Sequence, residues 1–176
     1  GPDQFDGSFA RNNSIRTISV SEGNPNYAVV GKALFNKQRT KLIVVPRDLT
    51  GSSGPKTYKV PASVTAIAKY AFSNSVYEEV ALPSGLRTVE DGTFLYSGLK
   101  RIVLPSGLQT IGSSAFEGAA SLTSVDLGGA TAVGDYAFRK TPALKTVNMR
   151  TDLNRLREIG SDAFSDSGLT EVTLPD

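Results

Sequence analysis

A phenylalanine returns at a near-constant interval along this chain. It stands at Phe72, Phe94, Phe116, Phe138 and Phe164, so three intervals of 22 residues are followed by one of 26. A period in the low twenties is too short for units of two helices or four strands, and a unit that small cannot bury an apolar face by itself. Each unit must therefore stack on the next, with stability coming from neighbour contacts along one axis.

Other apolar residues keep the same frame. Five residues before each phenylalanine stand Ile67, Val89, Ile111, Val133 and Ile159. After it come Tyr77/Val80/Leu82, Leu99/Ile102/Leu104, Leu122/Val125/Leu127, Leu144/Val147/Met149 and Leu169/Val172/Leu174, always spaced by three and then two. The last two members of each triplet alternate with other residues, which predicts a short strand of period two in every unit. Pro83, Pro105 and Pro175 end these strands, because proline has no N–H to give to a ladder. Backwards, Phe9 is followed by Ile15, Ile18 and Val20 in the same frame, and Tyr58, Val60, Val64 and Ile67 fill the half-unit before Phe72. The strand ends Val20, Val60, Leu82, Leu104, Leu127, Met149 and Leu174 predict about seven rungs, a sheet roughly 30 Å long at ~4.8 Å per strand.

The expected architecture is a repeat solenoid with one short parallel strand per turn of ~22 residues, plus an inserted β-hairpin. Residues 1–176 read as one domain: a first repeat over 1–20, the hairpin and a loop over 21–57, and consecutive repeats over 58–176. Within the insertion, Ala28 to Phe35 and Lys41 to Val45 are the hairpin strands, Asn36 to Thr40 their turn, and Gly51 to Pro55 a loop. The 26-residue interval predicts an extra loop over Arg150 to Arg157. The chain opens on Gly1-Pro2 and stops just after an apolar period, and it reads as a fragment of a longer protein.

The run Leu-x-x-Ile-x-Leu-Pro-x-x-Leu-x-x-Ile-x-x-x-Ala-Phe, complete from Leu99 to Phe116, resembles the BspA-like or Treponema-type leucine-rich repeat. So does the element Asn24-Pro25-x-Tyr27, Gly31-x-Ala33-Leu34-Phe35-x-Lys37, Thr40-x-Leu42-Ile43 and Pro46. Departures are local: Gly128-Gly129-Ala130 replaces the proline turn, Thr93 replaces alanine, and Tyr58 and Tyr77 stand at aliphatic positions. The resemblance implies a right-handed leucine-rich-repeat superhelix from a bacterial surface or secreted protein, or from a mucosal protist, used for adhesion to host proteins or other cells.

The chemistry available is narrow. With no histidine and no cysteine, Ser-His-Asp and Cys-His machinery, disulfides and thiolate zinc sites are excluded. Glu78-Glu79 and Glu90-Asp91 are sequence neighbours, and neighbours in extended chain point to opposite faces, so neither is an acid/base couple. Asp162 and Asp166 flank Phe164 without the alternating oxygen spacing of a calcium loop and read as turn residues. Gly128-Gly129 lacks a phosphate-binding fingerprint, and no cofactor is expected. A net charge of +2 gives no reason to expect nucleic acid, and no apolar run is long enough for membrane insertion.

Binding surfaces are the better candidates. Strand alternation places Thr17, Thr57, Glu79, Arg101, Ser124, Thr146 and Glu171 in one outward column of a concave sheet face. Ser19, Lys59, Ala81, Val103, Asp126, Asn148 and Thr173 form the next. The candidate contact residues are Glu79, Arg101, Val103, Asp126, Thr146, Asn148 and Glu171. A rival surface is the basic hairpin set Lys32, Lys37, Arg39, Lys41 and Arg47, suited to a sulfated glycan or an acidic protein; lysines that blunt an exposed strand edge explain it equally well. The expected function is a non-catalytic extracellular or cell-surface module binding a protein or glycan. The alternative is a rigid stalk displaying another domain; a carboxylate-based glycoside hydrolase is the least expected.

Overall fold

The computed structural model describes residues 15–47, 56–149 and 155–173. It opens with three antiparallel strands, β1 (Tyr27–Val30), β2 (Ala33–Asn36) and β3 (Lys41–Val44). A solenoid follows in which each coil carries two short parallel strands. The first set is β4 (Thr57–Lys59), β6 (Glu79–Ala81), β8 (Arg101–Val103), β10 (Ser124–Asp126) and β12 (Thr146–Asn148), hydrogen-bonded in that order. The second set is β5 (Ala66–Ile67), β7 (Thr88–Val89), β9 (Thr110–Ile111), β11 (Ala132–Val133) and β13 (Glu158–Ile159). Strands β7 to β13 form one sheet, while β5 pairs with β3.

The first set is the one that the triplets predict. Val80, Ile102 and Val125 point inward and are buried, between neighbours that point outward. The second set was not anticipated. Its β-branched Ile67, Val89, Ile111 and Val133 point into the core, while Ile159 in the last strand is 40% exposed; each follows one outward residue, and a strand of two residues is too short to show alternation.

The third side of each coil is the turn that bears the phenylalanine. The phenylalanine N–H donates to the next coil: Phe72 to Thr93 O at 2.9 Å, Phe94 to Ala115 O at 2.8 Å, Phe116 to Ala137 O and Phe138 to Ala163 O at 2.7 Å. The residues two before and two after each phenylalanine have positive φ, between 53° and 69°. That alternation aims every second N–H along the axis, so even the turns are knitted coil to coil.

Inside, the phenylalanines form one stack. Successive rings from Phe72 to Phe164 lie 5.1, 5.1, 5.0 and 5.3 Å apart, with interplanar angles falling from 20° to 1°. Full burial of such a ring contributes roughly 1.5–3 kcal/mol, and pairing adds about 0.5–1.5 kcal/mol. Leu86, Leu108, Leu99, Leu122 and Leu144 pack around the stack, giving one continuous core that reaches back to Phe35 and Leu42 of the β-meander.

Three expectations are corrected. The run Ala28 to Phe35 is two strands, because Gly31 (φ 53°) and Lys32 (φ 69°) both enter the left-handed region and make the tight turn of a two-residue hairpin. The insertion is thus a three-stranded meander, and β3 takes the place beside β5 where an earlier repeat strand would pair. Ile18 and Val20 consequently form no strand; they cover the meander's outer residues Leu34, Ile43 and Val44 with Tyr27, Val29 and Tyr70. The first sheet therefore has five rungs among the described residues rather than seven, about 20 Å at strand spacing. Phe9, Leu174, the loop over 51–55 and most of the loop after Met149 lie outside the described residues.

Candidate functional site: the outward face of the first sheet

The ladder fixes which outward side chains sit together. Thr57, Glu79, Arg101, Ser124 and Thr146 are paired in one column, and Lys59, Ala81, Val103, Asp126 and Asn148 in the next, as the strand frame predicts. Neighbouring members are one strand spacing apart, about 4.8 Å, so Glu79 and Arg101 are adjacent across β6 and β8. Val103 is 78% exposed at the centre of this surface, an apolar side chain left open among charges. Around it lies a depression of about 440 Å³, lined by Glu79, Ala81, Arg101, Ser124 and Asp126 with Ser84 and Ser106 at its edge.

Asp126 is held in place within it. One carboxylate oxygen accepts from the Gly128 N–H at 2.8 Å, and the other from Asn148 Nδ2 at 2.9 Å. On the flank, Lys100 Nζ meets Glu78 Oε2 at 3.0 Å, so the acidic pair Glu78-Glu79 faces the basic pair Lys100-Arg101 across the strands. The surface offers hydrogen-bonding groups of both signs around a small apolar centre, a composition suited to recognition. Among the described residues, no group of three or more acidic side chains converges to hold a metal ion. No described helix is long and apolar enough to cross a membrane.

Of the candidate residues, Glu79, Arg101, Val103, Asp126, Thr146 and Asn148 are brought onto one ladder. Glu171 is exposed and lies beyond it, in irregular chain. The basic set is not brought together. Lys32 sits in the β1–β2 turn and Arg47 follows the end of β3, whereas Lys37, Arg39 and Lys41 cluster around the β2–β3 turn at the other end of the strands. Lys37 Nζ donates to Asn24 O at 2.8 Å, and Asn36 Oδ1 accepts from the Thr40 and Lys41 N–H groups, so that end is occupied in shaping its own turn.

Two exposed aromatics escaped the strand-based reading: Tyr96, 51% exposed, and Tyr136, 37% exposed. Both lie on the turn side, at +2 and −2 from a phenylalanine. The available signal was their offset from the spine, which placed them in the turns.

The BspA type leucine rich repeat region matches the chain in six copies over residues 52–170. No curated protein matches the chain. Among solved structures, the chain is similar to a leucine-rich repeat protein from Eubacterium ventriosum, with a TM-score of 0.62 at 21% identity over 92% of this chain and 55% of that one. It is also similar to a leucine rich cell surface protein from Faecalibacterium prausnitzii, with a TM-score of 0.68 at 23% identity over 94% and 44%. A third is the pneumococcal vaccine antigen PcpA, with a TM-score of 0.54 at 19% identity over 90% and 51%. The chain thus spans about half the length of these structures. Similarity at this level speaks for the fold, whereas the repeat match covers more than half of the chain and carries its signature residues. The protein is a member of the BspA type leucine-rich repeat family.

Proposed function

We propose that the chain is a non-catalytic binding module displayed outside the cell, and that the outward face of the first sheet recognises a protein or glycan. The observation that carries this reading is the depression around Val103, where an open apolar side chain is flanked by Glu79, Arg101 and the fixed carboxylate of Asp126. Charged groups around such a centre give orientation and on-rate, and the apolar centre gives the water-excluding contact. The name of the Faecalibacterium relative, a leucine rich cell surface protein, supports the location. Adhesion to host proteins or other cells is the role that joins these features, with neither nucleic acid nor membrane insertion involved.

The test is surface binding of the chain to a panel of matrix proteins, plasma proteins and sulfated glycans, with Arg101→Glu and Val103→Asp beside the parent. Saturable binding weakened at least tenfold by either variant is expected. Undiminished binding in both would move recognition off this face. The ring stack and triple knitting of the coils favour a second reading, a rigid stalk that displays another domain. That reading is preferred if the folded chain binds nothing in the panel.

A further inference from the structure

The turn side of the solenoid carries a second surface, built on different residues from the sheet face. Tyr96 roots on the coil of Phe94, and its ring reaches the next coil, where its Cδ1–Cε1 edge occupies the space a Cβ would take at Gly118. Gly118 has φ 69° and its N–H donates to Arg139 O at 2.8 Å. The ring therefore lies along the stack rather than projecting from it, yet it is half exposed. Beside Gly118 in the chain is Glu117. Its Oε2 accepts from Ser114 Oγ at 2.7 Å and its Oε1 lies 3.8 Å from Arg139 Nη1. The Arg139 guanidinium in turn lies 5.3 Å from the centroid of Tyr136, the second exposed ring. Tyr96, Gly118, Glu117, Arg139 and Tyr136 thus form one connected strip across three coils.

We infer that this strip is a binding site for a neutral oligosaccharide. A pyranose presents a face of weakly positive C–H bonds, which stack on the negative face of a phenol ring, and an edge of hydroxyls that both donate and accept. The strip supplies the half-exposed Tyr96 ring as the platform, and the Arg139 guanidinium over Tyr136, with the Glu117 carboxylate beside it, as the edge that meets the hydroxyls. The rings are held in place, Tyr96 by its seat on Gly118 and Tyr136 beneath Arg139, so binding orders little that is not already ordered. Glycan is favoured over a protein partner because a tyrosine that anchors a protein interface inserts into a pocket, and a ring laid along the surface offers a platform instead. A neutral sugar is favoured over an acidic one because Arg139 already faces Glu117.

The experiment is affinity electrophoresis of the whole chain in gels containing soluble β-glucan, xylan, mannan or heparin, followed by titration with oligosaccharides of the retarding polymer. Retardation is expected in at least one neutral polysaccharide. It should weaken at least tenfold in Tyr96→Ala/Tyr136→Ala, be largely kept in Tyr96→Phe/Tyr136→Phe, and be unaffected by Arg101→Glu on the sheet face. Nitration of the parent chain by tetranitromethane gives a readout independent of variant folding: the oligosaccharide should protect Tyr96 and Tyr136. No retardation in any neutral polymer, retardation by heparin alone, or unprotected tyrosines would overturn the inference. A protein ligand lost in the alanine pair without any glycan retardation would overturn it in favour of a protein interface. Because the sheet-face variants are separate, failure here leaves the sheet-face reading standing, and the reverse holds as well.

Discussion

Tyr58 and Tyr77 stand where the repeat frame calls for aliphatic residues, and they close the ring stack edge-on. Tyr58 lies 5.3 Å from Phe72 at 75° and 5.2 Å from Tyr77 at 66°. Burial pushes both phenols up to about 12, and for Tyr77 the charge that Tyr58 would acquire adds to the effect. An unfolded tyrosine titrates near 10. Between these values the folded chain keeps protons that the unfolded chain has lost, so rising pH favours unfolding. The contribution is complete below about pH 10 and is lost as pH climbs toward 12. Urea melts followed by circular dichroism should show stability falling across that range, with a shallower fall in Tyr58→Phe/Tyr77→Phe. Parallel pH profiles for the two chains would refute this assignment.

Among elements, the meander shows where local chemistry and tertiary demand disagree. Lys32 occupies a left-handed turn position that costs a residue with a Cβ roughly 1–2 kcal/mol, and asparagine tolerates it better. Lys32→Asn should therefore stabilise the protein, on the order of 0.5 kcal/mol, by a measurable rise in the urea midpoint; a fall would mean that the lysine makes a contact worth more than the strain. The same position explains why the sequence of the insertion reads as a two-stranded hairpin while the chain folds into three strands. A Gly-Lys pair is a weak turn signal beside Asn-Gly or Asp-Gly, so Ala28 to Phe35 reads as one strand. The first-sheet strands were legible because their central Val80, Ile102 and Val125 alternate with outward residues, and that alternation placed Glu79, Arg101, Val103 and Asp126 in their observed columns. The β9 and β11 strands were not legible, since two residues cannot display a period.

At the scale of the molecule, stacking of near-identical coils makes stability a sum of coil and neighbour terms. Excising residues 95–116 joins Phe94 to Glu117 and keeps the repeat frame. The shortened chain is expected to unfold cooperatively with a smaller denaturant slope, in proportion to the surface one coil buries. Loss of cooperative folding would mean that the coils are not interchangeable neighbours. What the frame could not reveal was where the stack begins. The offsets of Ile18 and Val20 fit a repeat, but β3 holds the place beside β5, and those two residues pack on the meander instead. Surface aromatics were hidden for a related reason: a tyrosine two residues from a core phenylalanine reads as turn until the seat beneath its ring is seen.

That seat also gives the stack a grammar. Tyr96 on one coil and Gly118 on the next are two halves of a single contact, as are Tyr70 and Gly92 one coil earlier. Their cores are alike, yet the coils cannot be shuffled freely. Excising residues 117–138 would also remove one coil, but it would bring Lys140 beneath Tyr96 in place of the glycine. The seams between coils thus carry a word order, and a duplication or loss during evolution reads correctly only when each overlying ring still finds its glycine.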